Sequence, residues 1–321
     1  MEPNNMWYST FIQKMHEKFP KKTQLTKALL ELLSIEREAV YRRLRGEVAF
    51  TAHEVITLAT TWNISLDELM GVNIGKIPFQ MRKINYIDPT DDEVNFLRFV
   101  IQSISLLKYF PSTEFMDVCN KIPRQLIAGH DYLNRFYLFK WAYQYGNTEE
   151  SLPFSDIIIS DEKMKITREY YQAIKDIPNT NFVLDFNLFR YLITDINYFY
   201  SIYLITDEEK ELIKKDIHNL LDYLQEVAKR GHYPESNNKV NLYISQLKIP
   251  TWYSYTFTPE VNICYVHVFE KYEIFSFHSE MVANFMSWMQ HKKRTSIQIS
   301  EVDEKSRIDF FTKQRQLVDS L

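Results

Sequence analysis

The chain has 321 residues, 45% of them hydrophobic and 25% charged, with a net charge of −4. That is the balance of a folded protein of about two domains rather than of a disordered chain, and it excludes a globally basic nucleic-acid coat while leaving room for a local basic face. Aromatics reach 15% (22 Phe, 21 Tyr, 5 Trp) and only 6 Gly occur, too few for the glycine-rich loops that bring backbone against phosphates.

Cys119 and Cys264 are the two cysteines, with no CxxC pair. The raw material for a disulfide scaffold or a thiolate zinc site is therefore missing, and a reducing, cytoplasmic setting is expected. The first residues, MEPNNMWYST, lack a basic start followed by an apolar run, so no secretory signal is expected. No membrane association is expected either. The most membrane-like stretch, residues 182–205, carries Asp185, Arg190 and Asp195, and charges at the centre of a span are expensive. It reads as an aromatic-rich buried helix.

In chain order, residues 6–71 read as a run of short helices. Residues 72–89 contain Gly75, Pro78 and Pro89 without periodicity and read as a linker carrying Lys76, Arg82 and Lys83. Thr90 with Glu93 forms a capping box that starts a new helix, and a helical pattern continues to about Gly231. Breaks fall near Pro111, Gly129, residues 146–153 and residues 178–180. Thr206 with Glu209 opens a strong helix whose Ile213, Ile217, Leu220, Leu224 and Val227 repeat near the helical period.

After Gly231 the period becomes two, with Val240, Leu242 and Ile244 alternating with Asn241, Tyr243 and Ser245. Residues 252–257, 261–269 and 272–277 are rich in aromatic and β-branched types and read as an antiparallel meander. Two helices close the chain. One presents Val282, Phe285, Met286 and Met289 on a single face, and the last covers about 301–321 with Ser300 and Asp303 as a capping pair.

Function is written in residues 29–46. Leu29, Leu30, Leu32 and Leu33 belong to one helix; Val40 and Leu44, four residues apart, face inward from a second. Ser34-Ile35 leaves space only for a tight turn, with Ile35 plugging the junction, so the two helices must cross steeply and the second can protrude. Its other face offers Glu36, Arg37, Glu38, Tyr41, Arg42 and Arg45, long side chains that reach groove edges and phosphates. Thr51 with Glu54 and Ser65 with Glu68 form capping boxes for two further helices. Lys14 to Arg45 holds nine Lys/Arg against four Asp/Glu, whereas Gly46 to Gly71 holds four acids and no base, a basic front and an acidic back suited to docking on DNA.

This stretch resembles the lambda repressor/Cro-like helix-turn-helix family, matching its pattern without a gap from the "LLELL" helix to the closing "RG" and, downstream, at Ile56, Leu58, Ala59, Trp62, Ile64, Leu66 and Leu69. The resemblance covers about a fifth of the chain. It implies a five-helix DNA-binding domain whose helix 36–44 enters the major groove. Three positions depart from the family: Leu30 replaces a small residue, Ser34 replaces the turn glycine, and Glu36 stands where Ser or Thr caps the recognition helix.

The expected fold is mainly α with a C-terminal α+β part. It comprises a helix-turn-helix domain (1–71), a linker (72–89), and a region (90–321) of helices followed by the antiparallel meander with flanking helices, with a sub-boundary near 232. The expected function is a bacterial- or phage-type transcriptional regulator that reads double-stranded DNA in sequence-specific fashion, as a homodimer on half-sites about 34 Å apart. Arg42 and Arg45 are the phosphate or guanine contacts, Arg37 and Glu38 the base-edge readers, and Tyr41 touches a thymine methyl or a phosphate. Arg43 pairs with Glu47 or faces the body.

Two alternatives stand beside it. One is a protein–protein scaffold carrying a helix-turn-helix that does not bind DNA. The other is a ligand-gated regulator whose small-molecule or protein effector acts on the aromatic C-terminal region, with Tyr191, Tyr198, Tyr200 and Tyr203 as polar tips. No nucleophile elbow, HExxH motif or glycine-rich loop occurs, so no enzyme and no cofactor are expected. Cys264 and His267 sit at strand positions of opposite parity, so they and the His278–Glu280 pair cannot all converge, and no metal site is expected. His291-Lys292-Lys293-Arg294 is either a phosphate patch or the basic end of a helix.

Overall fold

Pro20, the Ser34-Ile35 turn and Gly46 punctuate the first helices, and each falls where one helix stops and the next begins. The computed structural model describes residues 6–62, 64–69, 79–82, 90–127, 129–145, 152–269 and 272–321, and the chain divides into units Met1–Pro78 and Phe79–Leu321.

In the first unit the described residues form helices α1 (Met6–Lys18), α2 (Lys22–Leu33), α3 (Arg37–Leu44), α4 (Ala52–Trp62) and α5 (Leu66–Leu69). Their apolar stripes meet in one core of Phe11, Met15, Leu25, Leu29, Val40 and Leu58, all fully buried, each such side chain contributing roughly 1.5–3 kcal/mol. Leu30, Ile35 and Leu44 pack at its margin, so the bulk at position 30 is taken up beside the core rather than in its centre. Thr51 and Glu54 form the expected box: the Thr51 hydroxyl accepts from the Glu54 amide at 3.2 Å and the Glu54 carboxylate accepts from the Thr51 amide at 2.8 Å. In the Ser65–Glu68 box the Glu68 side chain lies outside the described residues.

The second unit is a mixed sheet covered by helices on both faces. Its strands are β1 (Gln80–Arg82), β2 (Glu114–Cys119), β3 (Asn179–Asp185), β4 (Lys239–Ser245), β5 (Tyr253–Phe257), β6 (Asn262–Val268), β7 (Tyr272–Ser276) and β8 (Ile297–Gln298), in the order β1-β7-β6-β5-β2-β3-β4-β8. The helices are α6 (Asp91–Leu106), α7 (Arg124–Ile127), α8 (Asp131–Tyr145), α9 (Asp161–Lys175), α10 (Leu188–Ser201), α11 (Asp207–Arg230), α12 (Ser279–Arg294) and α13 (Glu304–Asp319). β5, β6 and β7 form the expected antiparallel meander. β2, β3 and β4 are parallel to one another.

Three expectations are corrected. The central region is not wholly helical: β2 and β3 begin at the breaks near Pro111 and residue 178. Residues 182–205 are the end of β3 followed by α10, not one helix. A strand buried on both faces reads as a continuous apolar run, which periodicity cannot tell from a buried helix. Finally, β1 lies inside the expected 72–89 linker and pairs with β7, Gln80 opposite Phe275; residues 72–78 and 83–89 of that linker, with Lys76 and Lys83, lie outside the described residues.

Phe182, Leu184, Val240, Leu242 and Ile244 face α8, α10, α11 and α13 in the larger core, while Met116, Val118, Val183 and Tyr255 face α12 in the smaller one. The alternation in β4 therefore does not mark a solvent face. Asn241 donates to the Asn181 side chain at 3.2 Å, Asn181 to Glu114 at 2.9 Å, and Tyr255 to Glu114 at 2.8 Å, a satisfied buried polar ladder. The capping boxes at Thr90 and Thr206 form as expected. The last helix is capped by Asp303, which accepts from the Ser306 amide at 2.9 Å, while Ser300 accepts from the Leu242 amide; the expected Ser300–Asp303 pairing is replaced.

Candidate functional site

α3 is held from below and open above. Val40 is fully buried and Leu44 packs on the core. Ser34 adopts the left-handed conformation (φ 52°, ψ 40°) and its amide donates to the Leu30 carbonyl at 3.1 Å, so the turn position carries out with serine what a glycine does at lower cost. Tyr8 on α1 donates its hydroxyl to the Arg43 carbonyl at 2.9 Å, fixing the far end of the helix.

Arg43 faces the body. Its guanidinium donates to both Glu54 carboxylate oxygens, at 3.1 and 2.9 Å, with the side chains only 14% and 12% exposed. Of the two readings open for Arg43, this is the second. Burial pushes the Glu54 pKa up, but the Arg43 hydrogen bond and the Thr51 amide outweigh it and hold the carboxyl below its ordinary value.

The opposite side of α3 is a ridge of exposed charge: Glu36, Arg37, Glu38, Arg42 and Arg45, with Tyr41 half-buried beside them. Arg37 donates through Nε to the Tyr41 hydroxyl at 3.1 Å. Arg45 bonds Glu47 at 2.7 Å and reaches Glu38 at 3.4 Å, and Arg42 lies 3.8 Å from Glu47. Arg42 and Arg45 remain 54% and 55% exposed in side chain, and exposed pairs of this kind contribute about 0–1 kcal/mol, so their guanidinium groups exchange partners readily. Glu36 occupies the cap position in extended conformation but its side chain makes no capping hydrogen bond; its carboxylate acts on the helix only through the dipole.

The second unit holds a cavity of about 590 Å³ on the sheet face of β2, β5, β6 and β7, walled by α6 and α9. Asp117 sits on its floor, fully buried. It accepts from Trp252 Nε1 at 2.8 Å, the Ser254 hydroxyl at 2.5 Å and Gln125 Nε2 at 2.8 Å. Burial pushes its pKa up to about 6 against the pull of those three donors. His267 stacks on Trp252 with ring centroids 4.1 Å apart and its Nε2 is 3.8 Å from Glu273; burial takes its pKa down to about 4.

Sequence reasoning missed this cluster. Its one local sign is that Trp252, Ser254 and Thr256 put polar atoms on a single face of a strand, and an Asp interrupts the apolar run of β2. Tyr191, Tyr198, Tyr200 and Tyr203, the expected polar tips, all lie on or just after α10 and none lines the cavity. Tyr200 instead donates to Asp207 at 2.6 Å.

The remaining signals have structural places. Cys264 is buried in the smaller core while His267 faces the cavity on the other side of the sheet, as opposite parity requires. His291 to Arg294 form the last turn of α12. Among the described residues no helix is long and apolar enough to cross a membrane. No family model matches the chain, and neither a curated protein nor a solved structure matches it.

Proposed function

We propose that this chain is a sequence-specific DNA-binding transcriptional regulator, with a lambda repressor/Cro-like domain in its first unit and α3 as the helix that enters the major groove. The observation that carries the reading is the division of labour on α3: Val40, Leu44 and Arg43 anchor it, while Arg37, Glu38, Tyr41, Arg42 and Arg45 stand on the outer ridge. Arg42 and Arg45 contact phosphates or guanine edges, Arg37 and Glu38 read bases, and the Glu36 carboxylate at the helix start accepts from a cytosine amino group. One such helix spans only a few base pairs, so the regulator works as a homodimer on paired half-sites.

The experiment is selection of bound sequences from a random DNA pool, followed by gel-shift titration. Arg42→Ala weakens binding to the selected site by about 1–3 kcal/mol, and affinity falls steeply with salt, by a slope of about −0.9 per phosphate contacted. Undiminished binding by the Arg42 variant overturns the assignment.

A second reading, a protein-binding scaffold, is favoured by the acids on the ridge: Glu38 and Glu47 already engage Arg45. The random pool separates the two, because a scaffold enriches no DNA sequence from it.

A further inference from the structure

The cavity of the second unit is graded along its strands. In register, Asp117 stands opposite Ser254 and Ser254 opposite Tyr265, with Trp252, His267 and Glu273 at the next level. In the other direction Phe115 stands opposite Thr256 and Thr256 opposite Ile263, where Leu107 and Phe110 join them. The first end is therefore the more polar one; the second is floored by Phe115 and Ile263, with Thr258 and Glu260 at its hairpin rim. The mouth is apolar too, since Phe99 on α6 lines the cavity yet is 64% exposed.

Three donors at the polar end are already committed. Trp252 Nε1, the Ser254 hydroxyl and Gln125 Nε2 all point at Asp117. Charge tells the same way: that end carries the carboxylates of Asp117 and Glu273 against the guanidinium of Arg124, which lies over the Trp141 ring at 4.2 Å, while the exposed Glu260 sits on the hairpin turn at the opposite end. A volume near 590 Å³ suits a small organic ligand.

We infer that this cavity binds a small amphipathic amine, its apolar body between α6 and the Phe115–Ile263 end and its ammonium group at the Asp117–Glu273 end, beside the rings of Trp252 and Tyr265. Carboxylates and aromatic faces together favour an ammonium over a neutral or anionic head. Each methylene added to the body within the length of the cavity tightens binding about fourfold. The site stands independently of whether α3 reads DNA, because it is tested on the chain alone.

The test is calorimetric titration of the full chain at pH 7.5 with decylamine, decanol and sodium decanoate, three ligands with one body and different heads. Decylamine binds at least tenfold more tightly than decanoate. Val100→Trp, which fills the wall on α6, weakens decylamine at least tenfold, and Asp117→Asn brings decylamine close to decanol. Glu273→Gln gives the same levelling in part, and serves if the Asp117→Asn variant fails to fold. Lowering the pH to 5 weakens decylamine but not decanol, since Asp117 takes up a proton. Decanoate binding as tightly as decylamine, no binding by decylamine, or undiminished binding by the Val100 variant overturns the inference.

Discussion

The two units reach their cores by different routes. In the first, every element among the described residues is a helix, and most residues that close it lie near one another: Ser34 bonds Leu30, Thr51 bonds Glu54, and Arg43 reaches Glu54 across a single loop. In the second, the sheet joins strands from distant parts of the chain, with Glu114 paired to both Asn179 and Phe257. The first is built mostly from local signals, with Tyr8 to Arg43 its long reach of 35 residues. The second depends on pairings whose loop-closure entropy must be met before the contacts form, and no short window of sequence contains them.

The sharpest test of that difference is the centre of the sheet. Phe182 on β3 is fully buried in the larger core, and Phe182→Ala leaves a cavity as well as losing transfer energy, an expected cost of about 3–5 kcal/mol in denaturant unfolding followed by near-ultraviolet dichroism. A loss under about 1 kcal/mol, the scale of an ordinary surface change, would mean that β3 is not where the unit's stability lies.

Next in size are two buried groups whose proton linkage is opposed. Asp117 has its folded pKa raised from 3.8 to about 6, so its contribution is full below about pH 4 and is lost as pH rises through 6. His267 has its folded pKa lowered from 6.5 to about 4, so its contribution is full above 6.5 and is lost as pH falls through 4. Each amounts to about 3 kcal/mol, and between pH 4 and 6.5 they offset each other in the intact chain. Single variants separate them. Measured relative to the parent, Asp117→Asn gains stability as pH rises from 4 to 6.5, and His267→Gln gains it as pH falls over the same interval. Parallel curves for both variants would show that neither group titrates in its buried form.

These two residues also show why the second unit is hard to read from sequence. Asp117 sits in an apolar run, and its donors Trp252 and Ser254 are 135 and 137 positions away; nothing nearby announces that the carboxyl is satisfied. The capping boxes at Thr51, Thr90 and Thr206 are legible because four residues contain the whole interaction. The ridge of α3 is legible for the same reason, through the spacing of Val40 and Leu44. The partner of Arg43 is not: both Glu47 and the body lie within reach, and only the packing of α4 against α3 selects Glu54. β2 and β3 merge into a helical reading because a short apolar run carries no period of its own.

Arg43 and Arg42 put neighbouring guanidinium groups to different uses, and their variants separate fold from function. Arg43→Ala strands the Glu54 carboxylate in a site only 12% exposed, with an expected cost of about 2–4 kcal/mol to the first unit. Arg42→Ala removes an exposed side chain 3.8 Å from Glu47 and changes stability by less than about 0.5 kcal/mol. Thermal melts of the two variants distinguish them; equal losses would mean that Arg42 holds the fold, and would remove it from the list of side chains available to DNA.

The smallest effect lies at the turn. Ser34 has φ of 52°, a left-handed conformation that strains an L-residue by about 1–2 kcal/mol and that glycine adopts without a Cβ penalty. Ser34→Gly removes that strain but adds freedom to the unfolded chain, so the net gain is about 0.5 kcal/mol, visible as a rise in the denaturation midpoint at unchanged slope. The hydrogen bond from residue 34 to the Leu30 carbonyl is a backbone bond and survives the change, so the angle between α2 and α3, and with it the exposure of the ridge, stays as it is. A loss of stability would show that the serine side chain itself holds the turn, and that the geometry presenting α3 depends on more than backbone conformation.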